Sequence, residues 1–96
     1  MSPLKRIKLS KIRSELDKLD NSLIKLIKKR TNLVNQVLKL KDKKKEIIDN
    51  KRIKNILKNI RKKSIANKID PKITNRIWKN MIWSYIDYEK RNFKKK

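Results

Sequence analysis

Arg30 is the residue whose position first asks for chemistry. Leu9, Ile12, Leu16, Leu19, Leu23, Leu26, Leu33 and Val37 recur by threes and fours, and the same step from Leu26 lands on Arg30 before it reaches Leu33. An arginine on an inward stripe needs an anion, because an unpaired cation held away from water is costly. Lys41, four residues after Val37, stands in the same relation to the stripe. Two answers are open. The guanidinium can snorkel to water or pair with an Asp of a second chain, or it can line a pocket for an anionic ligand.

Other charges fall at comparable places. Arg52 lies one residue before Ile53 and four before Ile56, at the edge of a second apolar stripe, with Asp49 three residues ahead of it. Glu89 follows Tyr85 by four and Ile82 by seven, on a largely apolar face. Asp49 has a plainer role open to it as a helix cap, and Glu89 as a solvated acid in a basic tail. Arg13, Arg30, Lys41 and Arg52 can together form a mainly cationic cavity with one carboxyl group among them. Such a cavity suits a small dianion. The chain has no Cys, no His and no Gly, so thiolate and Ser-His catalysis, zinc ribbons, most metal sites and glycine-rich phosphate loops are excluded. The expected site has no metal and no cofactor, and works by binding, orientation and electrostatics.

The elements must deliver those side chains within 96 residues, which is one domain by length. The net charge of +22 points first to nucleic acid. The basic residues, however, are 24 Lys to 7 Arg, beside 15 Ile and 10 Asn. That mixture is read as a residue-usage bias acting on solvated faces, so nucleic acid is not the expected partner. No apolar run reaches the ~20 residues a membrane span needs, and Met1–Arg6 has no apolar signal core. A cytoplasmic protein without a membrane partner is expected.

Three helices are expected. The first runs from about Leu9 to Lys41, capped near Ser10, with residues 1–8 a frayed tail. A helix that long is ~50 Å against a radius of gyration of ~12–13 Å for a compact chain of this size. A second copy is the simplest cover for its stripe, so a homodimer with paired long helices is expected. Asp42–Glu46 reads as a loop, and Asp49 or Asn50 as the cap of a second helix reaching about Asn67 on Ile53, Ile56, Leu57 and Ile60. Ser64–Ile69 reads as a linker. Asp70-Pro71 is a capping carboxylate followed by proline at the first helical position. The third helix carries Ile73, Ile77, Trp78, Met81, Ile82, Tyr85 and Ile86 to about Phe93, with 94–96 a second frayed tail. The fold class is all-α.

The ordered set resembles the all-helical (AroQ-type) chorismate mutase family, the intertwined-dimer kind, over about Leu9 to Phe93. Its strongest block is Ile12-Arg13-Ser14-Glu15-Leu16-Asp17-Lys18-Leu19-Asp20, then Leu23 to Arg30, then Val37 and Lys41, with Asp49-x-x-Arg52 and the third helix following in order. The resemblance implies rearrangement of chorismate to prephenate, an intramolecular Claisen shift toward phenylalanine and tyrosine. It implies that Arg13 reaches a substrate carboxylate from the partner chain and that Arg30 grips a carboxylate within its own chain. Lys41 would donate to the breaking ether oxygen and a carboxylate, while Asp49 and Arg52 orient the ring hydroxyl.

Three positions depart from the family pattern. Ile53 stands where Glu is usual, Tyr85 where a Ser near the ring carboxylate is common, and Glu89 where Gln often donates to the ether oxygen. A carboxylate cannot donate, but a carboxylic acid can, so Glu89 is expected to work protonated. Ile53 and Tyr85 also resemble the isochorismate-pyruvate lyases on the same fold, which make salicylate and pyruvate. Those usually keep Gln at the Glu89 position and lack an acid at Asp49, which favours the mutase. A basic nucleic-acid-binding bundle and a plain dimerisation module are the alternatives from other classes.

Overall fold

The first helix begins before its apolar stripe does. In this computed structural model, which describes residues 1–94, α1 runs Pro3–Leu40, α2 Asn50–Ala66 and α3 Pro71–Asn92, with a 3₁₀ turn over Lys44–Ile47. The described residues form helices only, and the fold is all-α. None of the helices is long and apolar enough to cross a membrane among those residues.

Ser2, not Ser10, starts α1. The Ser2 hydroxyl accepts from the Lys5 N–H at 3.3 Å, and Pro3 takes the first helical position, where its missing N–H costs nothing. The frayed tail expected over residues 1–8 is therefore corrected, because Pro3–Lys8 is helical. Of the tail expected at 94–96, residues 95 and 96 lie outside the described residues. The chain divides into two compact units, Met1–Leu33 and the part from Val34 onward. The first is a stretch of α1 alone. Its stripe is open to solvent, with Leu16, Leu19, Leu23 and Leu26 each more than half exposed.

The second unit contains the core. Ile47, Ile82 and Ile86 are buried, with Leu38, Ile53, Ile56, Leu57 and Phe93 packed against them. Each such aliphatic side chain contributes about 1.5–3 kcal/mol when fully withdrawn from water. The 3₁₀ turn over Lys44–Ile47 is a correction to the loop expected over Asp42–Glu46. The Glu46 carboxylate folds back to accept from the Lys43 N–H at 3.1 Å, and the tightened turn drives Ile47 inward to 3% exposure. Ile73 and Ile77, expected on the inward stripe of α3, are instead about half exposed.

Local chemistry ends and restarts the helices as expected. Asp49 caps α2 by accepting from the Arg52 N–H at 3.0 Å, and Asp70 caps α3 through the Lys72 N–H at 2.9 Å. Ser64 belongs to α2 and not to a linker. It is buried, and its hydroxyl shares a 2.6 Å hydrogen bond with Thr74 of α3. After Ala66 the chain closes with a paired motif, Ile69 N–H to Ser64 C=O at 2.9 Å and Lys68 N–H to Ile65 C=O at 3.1 Å. Its left-handed position falls on Lys68, at φ 57, where glycine is usual. In a chain without glycine that conformation costs about 1 kcal/mol. Lys68→Gly is expected to raise the midpoint of thermal unfolding by about 4–8 °C for each kcal/mol relieved. A lower midpoint would contradict the assignment of strain to this residue.

Candidate active site

Lys41 and Glu89 meet. Lys41 is the first residue past the end of α1, and its N–H still donates to Leu38 C=O at 3.1 Å. Glu89 lies one turn beyond Ile86 on the buried face of α3. The Lys41 Nζ donates to Glu89 Oε1 at 3.1 Å, with the two side chains 17% and 8% exposed. The pattern of α3 explains the burial, since Ile82, Ile86 and Glu89 recur at steps of four and three. A carboxylate carried inward on that stripe needs a cation, and Lys41 supplies it. The solvated-tail alternative for Glu89 is thereby excluded.

The same wall carries a second polar link. The Tyr88 hydroxyl donates to Asn35 Oδ1 at 2.9 Å, joining α3 to the 34–40 part of α1. Tyr85 is half buried, and its ring stands edge-on to that of Tyr88, with centroids 6.5 Å apart and planes at 89°. Neither Asn35 nor Tyr88 stands out in the sequence. The available signal was an Asn two residues before Val37, at a position shared with the inward Leu38 side of the helix, and a second Tyr one turn after the first.

Asp49 and Arg52 are joined to each other through the cap alone. Asp49 accepts from the Arg52 backbone, and both side chains are exposed. Among the described residues neither side chain bonds to Lys41 or Glu89. Ile53 packs on the core, so this position offers hydrocarbon where a hydroxyl partner would stand. Within the first unit, Arg30 is half buried and its Nε is out of solvent, while Leu26 and Leu33 on the same stripe are more than half exposed. Arg13 is exposed, in a shallow groove with Ser10, Ser14 and Asp17.

Chemically, the Lys41–Glu89 wall can donate hydrogen bonds from the ammonium and accept them at the carboxylate. Ser84 is not part of it, being exposed with its hydroxyl donated to Asn80 C=O at 2.7 Å. The described residues thus form an all-helical chain in which a buried Lys-Glu pair joins the end of α1 to α3. The family model for chorismate mutase type II matches residues 12–90, and the chain belongs to that family. No curated protein and no solved structure matches it.

Proposed function

We propose that the protein is a chorismate mutase acting as a homodimer on chorismate, a small dicarboxylate, without cofactor or metal. The observation that carries this reading is the buried Lys41–Glu89 pair in a chain of the chorismate mutase type II family. The rearrangement is intramolecular. Catalysis consists of holding the enolpyruvyl arm over the ring and stabilising negative charge on the breaking ether oxygen. Lys41 donates to that oxygen and to a carboxylate. Arg30 takes a carboxylate bidentately, and Arg13 of a second copy takes the other. Arg52 and Asp49 serve the ring hydroxyl, and Tyr85 stands at the ring carboxylate. The open apolar face of α1 supports the dimer, because soluble monomers rarely leave so continuous an apolar surface uncovered.

Glu89 borders the substrate beside Lys41. In the free protein it accepts from Lys41. A carboxylate cannot donate to the ether oxygen, whereas an amide can. Glu89→Gln is therefore expected to keep or raise kcat for chorismate, and a large loss of kcat would show that the carboxylate acts through its charge on Lys41.

Isochorismate-pyruvate lyase activity is the second reading, favoured by Ile53 packed on the core and by the half-buried Tyr85. Incubating the purified protein with chorismate and with isochorismate and identifying the products distinguishes the two. Prephenate supports the mutase, while salicylate with pyruvate supports the lyase.

A further inference from the structure

The Lys41–Glu89 pair is held together by charge, and a substrate anion drawing on the same ammonium weakens it. Lys41 lies past the helix end, and both partners have long, flexible side chains. Parting them leaves nothing in the ion pair itself to keep the end of α1 against α3. One residue before Glu89 and six before Lys41, however, the Tyr88 hydroxyl donates to Asn35 Oδ1 at 2.9 Å. Both side chains are half buried. This bond joins the same two helix ends and is neutral, so the arrival of a dianion does not break it.

We propose that Tyr88 and Asn35 are positioning residues, whose hydrogen bond keeps Lys41 and Glu89 in register while the substrate weakens their mutual contact. The proposal rests on the mutase reading for its kinetic consequence, though not for its structural one. Tyr88 also sets the ring of Tyr85 through the edge-on contact. Tyr88→Phe keeps that contact and removes the hydroxyl alone, and is therefore the informative variant.

Two readouts test it. In Tyr88→Phe, kcat for chorismate is expected to fall about threefold to tenfold, the range a neutral hydrogen bond spans, with KM nearly unchanged and the unfolding midpoint lowered by a few degrees. Asn35→Ala is expected to do the same, and the double variant to fall no further than the worse single one. Fully additive losses, or a lowered midpoint with intact kcat, would overturn the proposal. The second readout needs no turnover. The chain has three glutamates, Glu15, Glu46 and Glu89, so selective ¹³C labelling of glutamate carboxyls gives three resonances, with Glu89→Gln assigning the one of interest. Tyr88→Phe is expected to move the Glu89 resonance toward that of exposed Glu15. A resonance left at its wild-type position would overturn the proposal whatever the protein turns over. A wild-type protein inert toward both chorismate and isochorismate would sink the functional reading and leave the resonance test standing.

Discussion

Lys41→Ala is expected to lower kcat by about 10²–10³-fold, the effect of removing one preorganised donor from a developing oxyanion, or about 3–4 kcal/mol. The ether oxygen gains negative charge only as its bond to carbon stretches, so a donor aimed there acts on the transition state more than on the bound substrate. The structure adds a complication to this variant. Glu89 is buried and accepts from Lys41, so removing the ammonium strands a carboxylate out of water, and folding suffers as well as rate. The double variant Lys41→Ala/Glu89→Gln separates the two effects. It is expected to recover the unfolding midpoint, because no charge remains to be stranded, and to stay slow, because the cationic donor is still missing. Recovery of kcat along with stability would show that Lys41 acts only as the partner of Glu89.

Arg30→Ala is expected to cost about 3 kcal/mol in kcat/KM, comparable to losing a preorganised charged donor. Arg30 is on the apolar stripe of α1, with its Nε out of solvent, and only guanidinium presents two parallel donors to one carboxylate. Arg30→Lys is therefore expected to recover little. Arg13→Ala is expected to be similarly impaired, but with Arg13 supplied by the second copy. Each site of the proposed dimer then combines Arg30 of one chain with Arg13 of the other. Mixing the two inactive variants under exchanging conditions is expected to regain about a quarter of wild-type activity, since half the dimers are mixed and each has one whole site. No recovery, with exchange demonstrated, would place both arginines in the same chain's site or remove one of them from it.

The parts of this molecule legible in the sequence are those set by chemistry between near neighbours. Asp70-Pro71 announces α3 because a capping carboxylate and a proline act on the adjacent turn, and Asp49 caps α2 for the same reason. The spacing of Leu26, Arg30 and Leu33 places Arg30 on the apolar stripe of α1, since 3.6 residues per turn is a local property. Ser2-Pro3 carries the same kind of start signal, obscured by the lysines that follow it. What the sequence withholds depends on partners far along the chain. Lys41 and Glu89 each register as anomalies on a stripe, yet nothing in their spacing pairs residues 48 apart. Ser64 reads as linker because its partner, Thr74, lies across a turn on another helix. Ile47 is hidden by the lysines before it, and becomes core only because Glu46 tightens the turn. Asn35 and Tyr88 are ordinary residues until the two helices are laid together.

The charge of +22 divides accordingly. Arg30 and Lys41 are withdrawn from solvent, whereas Arg13, Arg52 and most lysines are exposed. An exposed cationic excess of that kind draws dianions toward the protein at low ionic strength. The central claim, that these charges serve a Claisen rearrangement, is tested most directly by incubating the protein with chorismate and with isochorismate in parallel and following both products. Prephenate formed from chorismate, and lost in Lys41→Ala, is the result predicted. Chorismate left untouched while isochorismate yields salicylate and pyruvate is the result that would contradict it.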